Sequence, residues 1–457
     1  MRLVKSLHIS IAMALALTMS VSGVASAAVP TIQNQASGKI GGSGATFPQN
    51  QYTKWFTNFT TLNNEATPVV TGNSTKQFSS SNSTNSLVLE YSGVGSGAGI
   101  ANFFGANAKT ATQMFSGTDA VLSATDRSNI NGVVGAGKYS VIPMISGPIS
   151  LAYNVPGLLA AGRAATLRLD GPAVCGIYQG TIKKWNDEPI RTLNPTITNL
   201  PDATIKVVGR SDSSGTTFIF SSYLAKAASV AQKMCGYHSN FSSGEANLND
   251  PVGDFKPAKT VPADQFAGIR STNGAAAITS PGGSNQLLAS YIKAAANVYS
   301  IGYVESSYVT STAADATIVG SIQGAVLAAK DLSSAGKQVF LSPTSTTVAS
   351  ALTAGKAAEL QDPINPTASY VHPVFTSGVN SYPIVGYSWI MFYHEYLPAT
   401  VTKQQVQGLI VFLNWALTTG QASAQLYSGY NPVIASVRTL AIAELHNIKF
   451  DGVVVWP

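Results

Sequence analysis

The sequence predicts an α/β protein of two lobes joined by a two-strand hinge, with a ligand held in the cleft between them. Three observations carry that expectation. Apolar, strand-like segments run repeatedly into small-residue turns and then into stretches with helical apolar spacing. Two long extended segments, Lys138 to Asn154 and Tyr382 to Phe392, stand far apart and read as crossings between lobes. The 457 residues are also more than one core accommodates. Two crossings place both ends of the chain in the first lobe, at 28–146 and 381–457. The second lobe is then 147–380, with an irregular insertion at about 306–380. In open α/β sheets the ligand lies at the carboxyl ends of the strands, where helix N-termini are exposed.

Residues 1–27 read as a secretory signal peptide, with Arg2 and Lys5 before an apolar core from Ile11 to Leu17 and an Ala25-Ser-Ala27 cleavage site. No Cys follows to accept a lipid. Next, Gly41-Gly-Ser-Gly-Ala-Thr-Phe-Pro48 precedes Tyr52, Trp55, Phe56 and Phe59 at helical spacing, with Pro48 where a first turn tolerates it. Trp55 and Phe56 are expected in the core. Residues 60–86 are rich in Asn, Ser and Thr with little periodicity, until Leu87-Val-Leu-Glu-Tyr91 alternates as a strand. A second small-residue turn, Gly93-Val-Gly-Ser96-Gly-Ala-Gly99, follows. A further short strand from Met114 ends in the carboxylate of Asp119.

The extended run from Lys138 is interrupted at Gly147-Pro148, a break suited to a crossing. Thr204-Ile-Lys-Val-Val208 leads into a loop of Arg, Asp, Ser and Gly, and then into a helix with Phe220, Tyr223, Leu224 and Ala227 on one face. A strand, a small-residue turn and a helix opening with Ser or Thr aims backbone N–H groups at an anion. Arg210 adds a positive fork, and Asp212 an acceptor to hold it. Taken singly, each loop also fits a plain connector, Asp119 fits a helix N-cap or turn, and Arg210 fits a surface ion pair. Three such turns in one chain favour binding. Near the C-terminus, Val406, Leu409, Ile410, Leu413 and Ala416 mark another helix.

Composition narrows the class. Hydrophobic residues are 45% of the chain and charged ones 11%. Without Arg2 and Lys5 the balance is 25 basic to 21 acidic residues, near +4, and no basic run suits nucleic acid. No segment after the signal is apolar enough to span a bilayer, so the protein is expected to be exported and not embedded in a membrane. Cys175 and Cys235 are the only cysteines, and in an oxidising compartment they favour a disulfide; two separate buried thiols are the alternative. No CxxC or HExxH occurs, and no metal or other cofactor is expected.

These residues resemble a known family. GATFPQNQYTKWF from Gly44, the GVGSGAG turn, SGTDAVLS around Asp119 and AYNVPGL from Ala152 are similar to the phosphate-binding proteins of phosphate-specific ABC importers. So are the span from Leu169 to Pro195, RSDSSGTTFIFSSYLAK from Arg210, and the IGYVE segment ending at Glu305. The resemblance covers most of 40–305, with a weaker echo in 381–416. The cysteine positions and YPIVGYSWIMF also resemble the secreted DING branch, although Lys39-Ile-Gly-Gly42 stands where that branch carries Asp-Ile-Asn-Gly. The segments at 60–86 and 306–380 make this chain longer than an importer component.

The resemblance implies a type II periplasmic-binding-protein fold. It implies a monomer in the periplasm or medium that binds inorganic phosphate, with the membrane subunits of an ABC importer as partner. The implied ligand contacts are Thr46, Phe47, Ser96, Asp119, Arg210, Asp212, Ser214, Gly215 and Thr216, all of the residue type the family pattern asks for. Asp119 is expected to be ionised, able only to accept, and so to select an anion that brings a proton, as phosphate does and sulfate does not. A secreted DING-like scavenger or a phosphatase is the alternative. No G-x-S-x-G elbow or paired-metal cluster supports hydrolysis, and no enzyme activity is expected.

Overall fold

The computed structural model describes residues 38–59, 69–71, 75–79, 86–230, 268, 270–309, 322–354, 374 and 376–456. Residues 1–27 and Cys235 lie outside the described residues. The chain runs from β1 (Gly38–Gly44) into α1 (Gln49–Asn58), followed by β2 (Val69–Thr71), β3 (Thr75–Ser79) and β4 (Ser86–Gly93). Then come α2 (Ser96–Phe103), β5 (Phe115–Thr118), α3 (Ala124–Val133) and β6 (Tyr139–Asn154). The middle of the chain forms α4 (Gly171–Gln179), α5 (Glu188–Leu193), β7 (Lys206–Val207), α6 (Gly215–Val230), α7 (Asn285–Lys293), β8 (Ser300–Glu305), β9 (Gln323–Gly324) and α8 (Ser345–Ala354). The last elements are β10 (Val385–Tyr393), α9 (Lys403–Leu417) and α10 (Ala435–Leu445).

One sheet organises the molecule, in the order β7-β8-β6-β10-β5-β1-β4-β3-β2, with β9 also paired to β6. β1 runs parallel to both β4 and β5, so Gly44, Gly93 and Gly117 lie side by side where those strands end. β7 and β8 are also parallel. The two parallel groups meet through the antiparallel strands β6 and β10.

β6 corrects the expectation of a break at Gly147-Pro148. Its 16 residues form one strand, buried throughout. What changes there is the partner: β10 pairs with β6 up to Pro148, and β8 pairs with it from Ile149 onward. Pro removes only one donor, and the neighbouring strands hand over at that point, so the strand continues. The Tyr382 hydroxyl donates to the Ile149 carbonyl at 3.0 Å, tying the second crossing to the first at the same level.

The segment 306–380 is less irregular than its composition suggests. Among its described residues, β9 joins the main sheet and Val326–Ala328 pairs with Arg168–Leu169 and Phe340–Leu341. Strands of two or three residues are too short for alternation to register in the sequence. The polar stretch 60–86 likewise supplies β2 and β3 at the sheet edge.

The aromatic stripe of α1 is core, as expected. Phe56 and Phe59 meet Phe412 of α9 at ring-centroid distances of 5.3 and 5.5 Å. The Trp55 indole N–H donates to the Gly420 carbonyl at 2.8 Å. Each such aromatic pair adds about 0.5–1.5 kcal/mol beyond its buried area, and here the pairs bind the N-terminal helix to the C-terminal part of the chain. Cys175 is buried in α4, and no free cysteine occurs among the described residues.

Candidate functional site

Three strand ends and two helix starts converge at one place. β1 ends in the turn carrying Thr46 and Phe47, and Pro48 stands at the N-cap of α1, one residue before the expected first turn. β4 ends before Gly95, whose φ of 94° suits glycine, and Ser96 then opens α2. β5 ends at Thr118, directly before Asp119. The amide of Ala45 donates to Gly117 O, and those of Val94 and Gly95 to Gly44 O, so the backbone itself knits the turns together.

The Arg210 loop docks onto this cluster. The Ser96 hydroxyl oxygen accepts from the backbone N–H of Asp119 at 3.0 Å and of Gly215 at 3.1 Å. Gly97 N–H donates to Ser213 O at 2.9 Å. A Cβ on Gly215 would lie 2.4 Å from Ser96 Oγ and 2.5 Å from Asp119 Cβ, so only glycine permits this approach. Ser214 caps α6 by accepting from Thr217 N–H at 3.1 Å. The N-termini of α2 and α6 thus point positive dipole ends into the same region.

Arg210 is 1% exposed, which excludes the surface ion pair. Its Nε and Nη2 donate to the two carboxylate oxygens of Asp212 at 2.8 and 2.7 Å, a bidentate fork, and Nη2 also donates to Gly283 O at 2.9 Å. Its Nη1 is buried without a hydrogen-bond partner. Asp119 is 2% exposed and caps no helix, since α3 is capped by Ser123. Its Oδ1 also lacks a partner of normal geometry, as does the neighbouring Ser388 Oγ on β10. A full donor and a carboxylate oxygen left bare in one buried region would cost several kcal/mol, roughly 1–3 kcal/mol for each group, unless a ligand meets them.

The protonation of Asp119 departs from the expected ionised carboxylate. Burial pushes its pKa up to about 7, against the lowering effects of the Ser388 hydroxyl, the Arg210 guanidinium and Ser96. Near neutral pH the unliganded acid therefore shares its population between neutral and charged forms. The sequence does not reveal this, because the closing of β5, β10 and the loops over the carboxyl is a long-range event. Glu305, at the end of β8, is a second buried carboxyl, pushed up to about 8 by burial and held by Ser307.

All nine expected residues thus fall around this region. Thr46, Phe47, Ser96, Asp119, Arg210, Ser214 and Thr216 are buried, and Asp212 braces Arg210. Asn285, fully buried at the start of α7, stands with them and is not among the nine. Its Nδ2 donates to Thr216 Oγ1 at 3.0 Å and to Thr46 Oγ1 at 3.4 Å. The signal for it was Pro281-Gly-Gly-Ser284, a fourth small-residue turn ahead of a helical pattern.

Comparison with known proteins identifies the family and the fold. A family model described as a PBP superfamily domain matches residues 29–419. The phosphate-binding protein PstS of Methanocaldococcus jannaschii is 28% identical over 314 residues, 67% of this chain and 67% of that protein. PstS 3 of Mycobacterium leprae is 38% identical over 140 residues, which span 31% of this chain and 34% of that relative. PstS of Xylella fastidiosa is 31% identical over 207 residues, 45% of this chain and 46% of that relative. Among solved structures, a DING protein aligns with a TM-score of 0.60 at 21% identity, covering 89% of this chain and 94% of that one. A human phosphate binding apolipoprotein aligns with a TM-score of 0.58 at 20% identity, covering 89% and 94%. At these identities the structural likeness establishes the fold.

Proposed function

The chain belongs to the PBP superfamily, and from that premise we propose that it captures inorganic phosphate as an exported solute-binding protein and delivers it to an ABC importer. The observation that carries the reading is the pair of unpartnered buried atoms, Asp119 Oδ1 and Arg210 Nη1, among the N-termini of α2 and α6. One is an acceptor and the other a cationic donor. A ligand satisfying both must present an acidic hydrogen and an anionic oxygen on one small body, and monohydrogen phosphate does. The named relatives support this choice, being phosphate-binding proteins.

In this reading Thr46, Phe47, Ser214, Gly215 and Thr216 give amide and hydroxyl donors, Ser96 holds two loops in register, and Asp212 aims Arg210. The lobes 28–146 with 381–457, and 147–380, close about the partner switch at Gly147-Pro148 and the second crossing at Tyr382. Residues 1–27 direct export, to the periplasm or the medium. A Cys175–Cys235 disulfide ties α4 to the chain beyond α6. Among the described residues no helix is long and apolar enough to cross a membrane.

Calorimetric titration of the purified protein with phosphate, repeated in excess sulfate, tests the reading. Saturable binding of one phosphate per chain, little displaced by sulfate, is expected; absence of binding at millimolar phosphate rejects it. Turnover of a chromogenic phosphoester by the same sample would instead favour the phosphatase alternative.

A further inference from the structure

We propose that Asn285 is a positioning residue of this site: its side-chain amide turns the hydroxyl protons of Thr46 and Thr216 toward the bound anion. The inference rests on the phosphate reading above and adds a residue outside the nine expected contacts.

The orientation of the amide is set by its surroundings. Oδ1 accepts the backbone N–H of Glu305 at 3.2 Å, and only the carbonyl end can do so. Nδ2 must therefore face the two threonines, and its two hydrogens reach Thr216 Oγ1 at 3.0 Å and Thr46 Oγ1 at 3.4 Å. Ser284 fixes the backbone there by capping α7, accepting from Leu287 N–H at 3.0 Å.

A threonine hydroxyl has one proton and two lone pairs. With a lone pair on each oxygen engaged by Asn285, the proton of each is directed away from the amide. Neither hydroxyl donates a hydrogen bond among the described residues. Both side chains are buried, Thr46 at 2% and Thr216 at 1% exposure. An anion in the pocket then meets two hydroxyl donors already turned outward, with no proton reorientation to be made on binding.

The arrangement also joins distant parts of the chain. Thr46 follows β1 and Thr216 begins α6, while Asn285 lies 239 residues from the first and 69 from the second. A single planar amide sets the spacing between them. An Asp at 285 would reverse the pattern, since an ionised carboxylate accepts and would draw both hydroxyl protons to itself.

The test is a double-mutant cycle read by phosphate titration of the full-length protein, with melting of the unliganded form as a folding control. On the native background Asn285→Ala should weaken phosphate binding about tenfold, and Asn285→Asp by a larger factor, roughly a hundredfold. On a background of Thr46→Val with Thr216→Val, Asn285→Ala should weaken binding by no more than about twofold, because the hydroxyls it orients are gone. An equal loss on both backgrounds, or an Asn285→Asp protein that binds as tightly as the native one, overturns the proposal. If the Ala variant melts before it can be titrated, the Asp variant, nearly isosteric, decides. Failure of the native protein to bind phosphate would instead reject the reading beneath it.

Discussion

The hydroxyl oxygen of Ser96 accepts the backbone N–H of Gly215 at 3.1 Å, although 119 residues separate them in the chain. Through this bond the start of α6 is held on the start of α2, and the same oxygen also holds the amide of Asp119. One side chain therefore registers three loops. Its lone pairs are occupied by two protein donors, so its own proton is what remains to give.

Removal of that hydroxyl should damage both stability and binding. Ser96→Ala leaves two buried amides without an acceptor, at a cost of about 1–3 kcal/mol each. Denaturant titration should show a loss of about 2–6 kcal/mol for the two together, and phosphate affinity should fall at least about tenfold as the loops lose register. Gly215→Ala should abolish binding more selectively, because the added methyl enters the space of Ser96 Oγ and Asp119 Cβ.

Asp119 gives a pH signature. Its carboxyl, ordinarily near 3.8, is pushed up to about 7 in the folded protein, so the native state holds the proton more tightly than the unfolded chain. The resulting stability is fully present below about pH 4 and is lost as pH rises through about 7. Asp119→Asn should remove this loss and stabilise the unliganded protein at pH 8, by at most on the order of 4 kcal/mol. Glu305, raised to about 8, leaves a residual slope of the same sign in the variant. Denaturant midpoints across this range check it.

The same protonation bears on selectivity. Above about pH 7 the ionised acid repels sulfate and accepts the hydrogen of phosphate; below it, the neutral acid can donate to sulfate. Discrimination between the anions should therefore narrow as pH falls, and Asp119→Asn should narrow it above about pH 7 with little further effect below. Competition titrations that show an unchanged gap between the two anions in the variant would remove Asp119 from the selective role.

Arg210→Lys tests the fork apart from the charge. Lysine keeps one positive charge but cannot span both Asp212 oxygens, Gly283 O and a ligand at once. Affinity should fall by roughly tenfold to a hundredfold with little change in the salt dependence of binding.

Substitution in the aromatic core should separate folding from binding. Phe412 contacts Phe56 and Phe59, and Phe412→Ala should cost about 3–5 kcal/mol of stability. At low temperature, where the variant remains folded, its phosphate affinity should stay close to native.

Much of this site was legible because its chemistry is local to each loop. Gly, Ser, Thr and Asp at strand–helix joins mark exposed amides wherever they occur, and Thr46, Ser96, Asp119 and Arg210 each stand in such a join. Asn285 escaped notice because its meaning lies in its partners, which only folding brings near. The charge state of Asp119 escaped for a related reason: a pKa depends on what covers the group. Gly147-Pro148 in β6 looks like an interruption because Gly-Pro ordinarily ends a strand, but here the neighbouring strands exchange and the backbone passes through. β2 and β9 carry too few residues for alternation to show, and β3, Thr75–Ser79, has a single large apolar residue, Phe78.

The most direct test of convergence on one anion is the crystal structure of the protein saturated with phosphate. The account predicts one tetrahedral ion within hydrogen-bond distance of both Asp119 Oδ1 and Arg210 Nη1, capped by the hydroxyls of Thr46 and Thr216. Phosphate bound at another place, with those two atoms untouched, would contradict it.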